Sequence, residues 1–472
     1  MNFTELFKVT SYQCSFSPDG QYLASANQYR LVIRASTTLE IINVFACIDV
    51  IHIIEWSPDS HFILAGLLKR SAIQVFSLDN PEWKCKIDEG SAGLCQVHWT
   101  PDSRHILTTA QFHLRITVWS LTSKNVSYIK YPKKLSPSSY TFHLLKPYMA
   151  LVERRNDSTD HISIFNYASN WSMVTHFQVS ELEDLQGIQW SPSDDVLCLW
   201  ENCYEYKLVF YTLNGQLLNM YKPENEHFSL GVRCARWSPT GQVMVVGDYE
   251  ENITIFSYLT YKKIREPFRH PQRLSSTNGY TILKEEECDM NNDKSDETSQ
   301  SKPYSSSAYS SSLLSDHESK SCVESKYIIY NGTLKIAPIK PNLDRANPRL
   351  GISSIEFSSS GRYMSTINDT MPNLLFIFDF KPKFHLAFVL IQLQPIRCVK
   401  WEPKRDRLTL CTHNNRLYIW SSEGASCINL PSESSKHNID EIKWNNHNSI
   451  SGVALIGQNS MCLGFVDLNS DL

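Results

Sequence analysis

Trp56–Ala65 reads WSPDSHFILA, and close relatives of that phrase recur along the chain. FSPDGQYLAS begins at Phe16, WTPDSRHILT at Trp99, WSPSDDVLCL at Trp190, WSPTGQVMVV at Trp237 and FSSSGRYMST at Phe357. Weaker copies begin at Phe142 (FHLLKPYMAL), Trp401 (WEPKRDRLTL) and Trp444 (WNNHNSISGV). Successive anchor aromatics lie 40, 43, 43, 48, 47, 120, 44 and 43 residues apart. Self-similarity at such a period marks a repeat architecture, in which each unit needs its neighbours to bury its faces.

The chemistry of one unit follows from the phrase. An alternating strand (CSF, IIEW, CQVHW) ends on the anchor aromatic. Pro presets φ and Asp or Ser bonds the nearby backbone, so S-P-D-G folds a tight turn. A second strand follows (YLASA, FILAGLL, HILTTA), then a third ending in an aromatic (IQVFSL, ITVWSL, ITIFSY, LYIWSS), then a fourth such as LEIINVF or SYIKYP. Four antiparallel strands per unit make the blade of a β-propeller, with the aromatics wedged between sheets. The expected fold is all-β, with about nine recognisable four-stranded blades. Spacing leaves one large ring and two smaller rings equally open. The last unit stops at its third strand, CLGFVDL, while Phe3–Val9 (FTELFKV) precedes the first unit and is spare. That segment is expected to pair as the missing outer strand, which would remove an exposed sheet edge.

The expected organisation is therefore six blades over 1–270, an insertion over 271–345 and three blades over 346–472. Within the insertion, about 285–326 is rich in Ser, Asp, Glu, Asn and Lys and is expected to be disordered. YTILK (280–284) and KYIIYNGTLKIAPIKP from Lys326 flank it and read as strands of a degenerate extra blade.

Composition narrows the function classes. The net charge of −4 over 472 residues argues against a protein built chiefly to hold phosphate backbones. No run approaches the roughly 18 apolar residues of a membrane helix, and the N-terminus lacks a signal-peptide core. The 13 Cys are scattered with no C-x-x-C pair, which suits buried thiols in a reducing cytoplasm. No P-loop, dinucleotide fingerprint, nucleophile elbow or H-E-x-x-H is present, so no cofactor and no enzyme activity are expected. The Asp of each SPDG turn recurs once per blade, and turn chemistry accounts for it without a metal. The basic and aromatic segment KNVSYIKYPKK (124–134) reads as an edge strand protected by Lys, and no nucleic acid is expected.

One stretch departs from its surroundings: Pro81–Leu94, PEWKCKIDEGSAGL. GSAG has no following Lys and opens no helix, so it is a poor phosphate cradle. In the repeat frame, EWKCKI is the fourth strand of blade two, with Trp83, Cys85 and Ile87 on one face and Lys84 and Lys86 on the other. DEGSAG is then the turn into blade three, where Gly90 and Gly93 supply backbone freedom. Asp88, Glu89, Gly90, Ser91 and Gly93 form a candidate partner-binding loop, with the Asp88–Glu89 pair expected to face solvent at the mouth of the ring.

PEWKCKIDEGSAGL, FHLRITVWSL (112–121), SYIKYP (127–132) and DRANPRLGI (344–352) together resemble one family. It is the centrosomal WD-repeat family encoded antisense to the p-seventy-three tumour-protein gene, and the resemblance covers nearly the whole chain outside the serine-rich insertion. It implies a non-enzymatic scaffold of the centrosome, microtubule-organising centre and spindle pole. Such a scaffold anchors microtubule minus ends and supports spindle organisation and cilium assembly. Its implied partners are a coiled-coil anchoring protein of the SSX-interacting (Msd) type and a minus-end-directed kinesin. Arg345, Asn347 and Arg349, in the last of these segments, form a candidate secondary surface. The third strands end in Trp-Ser, Phe-Ser or Phe-Asp where the general repeat has Trp-Asp, so the usual buried Asp–His network is expected to be missing from most blades. Two other readings stay open on fold alone: an adaptor in ubiquitin ligation or RNA processing, and a propeller enzyme with titratable groups converging on the channel.

Overall fold

The computed structural model describes the chain except residues 136–137, 156–158, 224–229, 290–322, 343, 345–347, 432–436, 447–450 and 467–472. Each repeat is a sheet whose strands pair with their neighbours in chain order. In blade two these are Ile53–Trp56, Phe62–Leu67, Ala72–Ser77 and Lys84–Asp88. Blade one spans 14–46, blade two 53–88, blade three 96–130, blade four 140–178, blade five 185–221 and blade six 232–269. Blade seven spans 352–391, blade eight 398–429 and blade nine 441–466.

The blades form one ring. An apolar cluster lies between every consecutive pair, and a further one joins blade nine to blade one. Leu31 and Ile33 of blade one pack with Ile63 and Phe76 of blade two, and Ala454 and Leu463 of blade nine with Cys14 and Leu23 of blade one. Two rings would each need a closing interface between non-consecutive blades; among the described residues, the only such interface joins the first blade to the ninth. This decides what spacing left open. Closure is made by the N-terminus: Asn2–Phe3 and Phe7–Lys8 pair antiparallel with Ser460–Val466.

The anchor aromatics do more than fill space. The Trp56 indole Nε1 donates to the Ser15 carbonyl at 3.1 Å, Trp99 to Glu55 at 3.1 Å, Trp190 to Thr141 at 3.2 Å and Trp401 to Glu356 at 3.2 Å. Each acceptor immediately precedes the anchor of the blade before, so one bond repeats at four of the interfaces. The turns add a second stitch. The Asp19 and Asp59 N–H groups donate to the Ser60 and Ser103 hydroxyls of the next blade at 3.1 and 3.0 Å. Ser60 and Ser103 sit at φ 65° and 58°, where blade one has Gly20 at 73°. A left-handed Ser costs about 1 kcal/mol, and the hydroxyl it supplies offsets that with a bond between blades. The turn Asp side chains are occupied locally: Asp19 Oδ1 accepts from the Gln21 N–H at 3.0 Å and Asp102 Oδ1 from the Arg104 N–H at 3.0 Å.

The flanks of the insertion do not build an extra blade. Thr281–Asp289 and Val323–Ile329 form a hairpin, and Thr281–Lys284 pair in parallel with Phe388–Ile391. Blade seven thereby becomes six-stranded. Its outer strand offered a ready row of N–H and C=O groups, whereas a new blade would need inner strands that the segment lacks. The expected disordered tract thus begins and ends in strand, and its centre, 290–322, lies outside the described residues.

Candidate partner-binding face

In a blade with strands in chain order, the links from second to third strand and from fourth strand to the next blade emerge at one end. In blades two and three, that end carries the 88–93 loop and the 110–114 link. The two touch, since a Cβ on Gly93 would fall 2.5 Å from the Gln111 side chain. Gly90 and Gly93 have φ of 68° and 71°, as the turn requires.

The Asp88–Glu89 pair is split by the fold. Asp88 is exposed, caps the Gly90 N–H at 3.0 Å and lies 3.8 Å from Lys86. Glu89 is not solvent-facing: its side chain is 1% exposed. It accepts from the Thr108 hydroxyl at 2.7 Å, the Thr117 hydroxyl at 2.8 Å and the Arg115 guanidinium at 3.2 Å. The Trp119 indole donates in turn to Thr108 at 2.9 Å. Adjacent residues on extended chain point to opposite sides, so one carboxylate had to turn inward. Gly93 is buried beside it, which leaves Asp88, Gly90 and Ser91 as the exposed part of the loop.

The Glu89 cluster is a buried polar joint between blades two and three, and other interfaces carry different buried polar pairs. Between blades six and seven, His270 is fully buried, lies 2.7 Å from the Thr366 hydroxyl and stacks on Phe376 at 3.9 Å. Burial pushes its pKa down to about 3, so the ring is neutral. Between blades seven and eight, buried Glu285 accepts from the Tyr418 hydroxyl at 2.7 Å and the Leu393 N–H at 2.9 Å.

Beside the 88–93 loop stands the most exposed large apolar side chain of this face. Phe112 is 88% exposed and Leu114 65%. Phe112 and His113 both have left-handed backbone, φ 59° and 53°, which presents the Phe ring outward at an energetic cost. Burial, then the nearby Lys134, lowers the His113 pKa, so the loop carries little charge of its own. Arg115 spans the two roles, bonding Glu89 beneath and lying 4.8 Å over the Tyr128 ring. Tyr12, Tyr29, Ile48 and Tyr204 are exposed in the corresponding links of other blades. In the sequence, Phe112 stands out only as the first residue of the segment FHLRITVWSL. An exposed Phe between two strands has no signature that separates it from a core residue.

Of the candidate secondary surface, Arg349 is exposed and lines a cavity at blades seven and eight. Arg345 and Asn347 lie outside the described residues. Among the described residues, no group of three or more His, Cys, Asp or Glu could hold a metal ion. None of their helices is long and apolar enough to cross a membrane.

This geometry defines a WD-repeat β-propeller with an apolar, loop-built face, the architecture of a scaffold or adaptor. No protein-family model matches the chain. It is 41% identical to WD repeat-containing protein WRAP73 of Mus musculus over 478 residues, covering 99% of the chain and 96% of that protein. An uncharacterised WD repeat-containing protein of Schizosaccharomyces pombe is 23% identical over 501 residues, covering 100% of the chain and 94% of the relative. Among solved structures, a eukaryotic initiation factor superposes with a TM-score of 0.55 at 10% identity, covering 91% of this chain and 88% of that one. At that identity the likeness is one of fold. The chain belongs to the WRAP73 family of WD repeat-containing proteins.

Proposed function

We propose that this protein is a non-enzymatic cytoplasmic scaffold at the centrosome and spindle pole, holding a coiled-coil anchoring protein of the SSX-interacting (Msd) type. Through that partner, and a minus-end-directed kinesin that joins it, the scaffold anchors microtubule minus ends and organises the spindle and cilium assembly. The kinship with WRAP73 and the four family segments support the setting.

The observation that carries the scaffold reading is Phe112. A large apolar side chain held outward by left-handed backbone costs the free protein and gains nothing inside it. Aromatic anchors of this kind dominate the energetics of protein interfaces. A coiled-coil partner offers an apolar helix face to receive Phe112 and Leu114.

Proximity labelling in dividing cells, with the intact chain and a Phe112→Ser variant, tests the proposal. The expected result is a centrosomal coiled-coil protein among the labelled partners of the intact chain, depleted with the variant. Recovery of proteasomal or splicing proteins with no such partner overturns it.

A further inference from the structure

A second feature of the ring is electrostatic and lies away from Phe112. A cavity of about 1080 Å³ opens beside the first strands of blades seven and eight, Ile352–Phe357 and Cys398–Trp401. Four cations line it: Lys400 is paired with Glu356, while Lys340, Arg349 and Arg397 come from separate segments and are exposed. None of the three forms an ion pair with a described residue. The acids around them already have bases. Glu356 bonds Lys400 at 2.8 Å and Asp369 bonds Arg233 at 2.5 Å. In a chain of net charge −4, the lining sets four cations, Lys340, Arg349, Arg397 and Lys400, against two carboxylates, Glu356 and Asp369, a local excess of two positive charges.

We propose that this cavity binds an acidic peptide segment of a protein partner, with successive carboxylates paired to Lys340, Arg349 and Arg397. The juxtaposition of uncompensated cations and aliphatic groups selects that ligand. The lining mixes the cations with Ile339, which is 57% exposed, Ile396 and Pro395, places for the aliphatic side chains of a peptide. Among the described residues no Phe, Tyr or Trp lines it, so they supply no stacking platform of the kind by which single-stranded nucleic acid is held. The volume slightly exceeds the usual range for small-molecule pockets, about 300–1,000 Å³, and suits a length of chain. Arginine forks and a lysine ammonium are the usual recognition groups for carboxylates. The proposal stands apart from the Phe112 surface, so either can fail without the other.

The test uses the full chain and three fluorescent probes: an Asp- and Glu-rich peptide containing two Leu, the same peptide with Lys in place of the acids, and an oligo-dT. Anisotropy should show binding of the acidic peptide alone, weakened about tenfold in Arg349→Glu/Arg397→Glu. The affinity should fall as salt rises from about 0.1 to 0.5 M. Phe112→Ser should bind the acidic peptide like the parent chain, and both variants should melt with it. Absence of binding, binding indifferent to the charge reversals, or preference for the oligonucleotide overturns the proposal.

Discussion

The Thr108 hydroxyl donates to the Glu89 carboxylate at 2.7 Å in a site closed to solvent, Glu89 standing in the loop that leaves blade two and Thr108 in blade three. That bond, with those from Thr117 and Arg115, makes Glu89 a joint between blades two and three. Glu89→Lys places a second cation against Arg115 and leaves two Thr hydroxyls without their acceptor. Breaking a buried charged cluster costs about 3–5 kcal/mol. Thermal unfolding should register that loss for Glu89→Lys, while Asp88→Lys, next in sequence and exposed, should stay within about 0.5 kcal/mol of the parent. Equal melting of the two variants would refute the assignment.

The repeated indole bond makes a separable contribution. Trp56→Phe keeps an aromatic between blades one and two but removes the donor to Ser15, at a cost of about 1 kcal/mol. Trp56→Ala also opens a cavity and should cost about 3–5 kcal/mol. Denaturant titration distinguishes them; a Phe variant as damaged as the Ala variant would mean that the hydrogen bond contributes nothing beyond the ring.

Phe112 offers a test in which stability and binding move in opposite directions. With φ at 59°, Phe112→Gly relieves backbone strain of about 1 kcal/mol and removes no buried surface. The variant should melt no lower than the parent and lose at least about tenfold in partner affinity, read by pull-down against the coiled-coil partner. Retained affinity would move the contact elsewhere on the ring.

Acid should weaken the ring in a particular window. His270 has its folded pKa lowered to about 3 by burial, while an unfolded His titrates near 6.5. The stability from keeping it neutral is fully present above about 6.5 and is lost as pH falls toward 3, since only the unfolded chain takes the proton. The slope for one such group is about 1.4 kcal/mol per pH unit. His437 and His143, whose pKa values burial also lowers, act in the same direction. A His270→Asn variant should be less stable near neutrality and show a shallower acid limb between about pH 6 and 4. An unchanged limb would mean that the imidazole titrates freely in the folded protein.

Much of this molecule was written in local chemistry. The anchor aromatic, the S-P-D-G turn and the period-two alternation depend only on near neighbours, so they specify blades at a fixed spacing. The outer-strand face of Trp83, Cys85 and Ile87 was legible on the same ground, and Ile87 is the buried member. Residues far apart were not legible. Glu89 meets Thr108 and Thr117 across 19 and 28 positions, and no local pattern marks a carboxylate whose donors arrive on other strands. The same limit hid the cavity, where Lys340 and Arg397 come together only after the chain has completed the insertion and blade seven.

Sequence by itself determined that this chain is an array of four-stranded blades, and that its N-terminal segment could supply the strand the last blade lacks. Tertiary structure alone decided that the blades close as one ring of nine, because closure depends on wedge angles summed over every interface. It also decided that the insertion thickens blade seven, that Glu89 is a strut and that Phe112 is exposed. Which side of a strand meets solvent depends on the blade packed beside it.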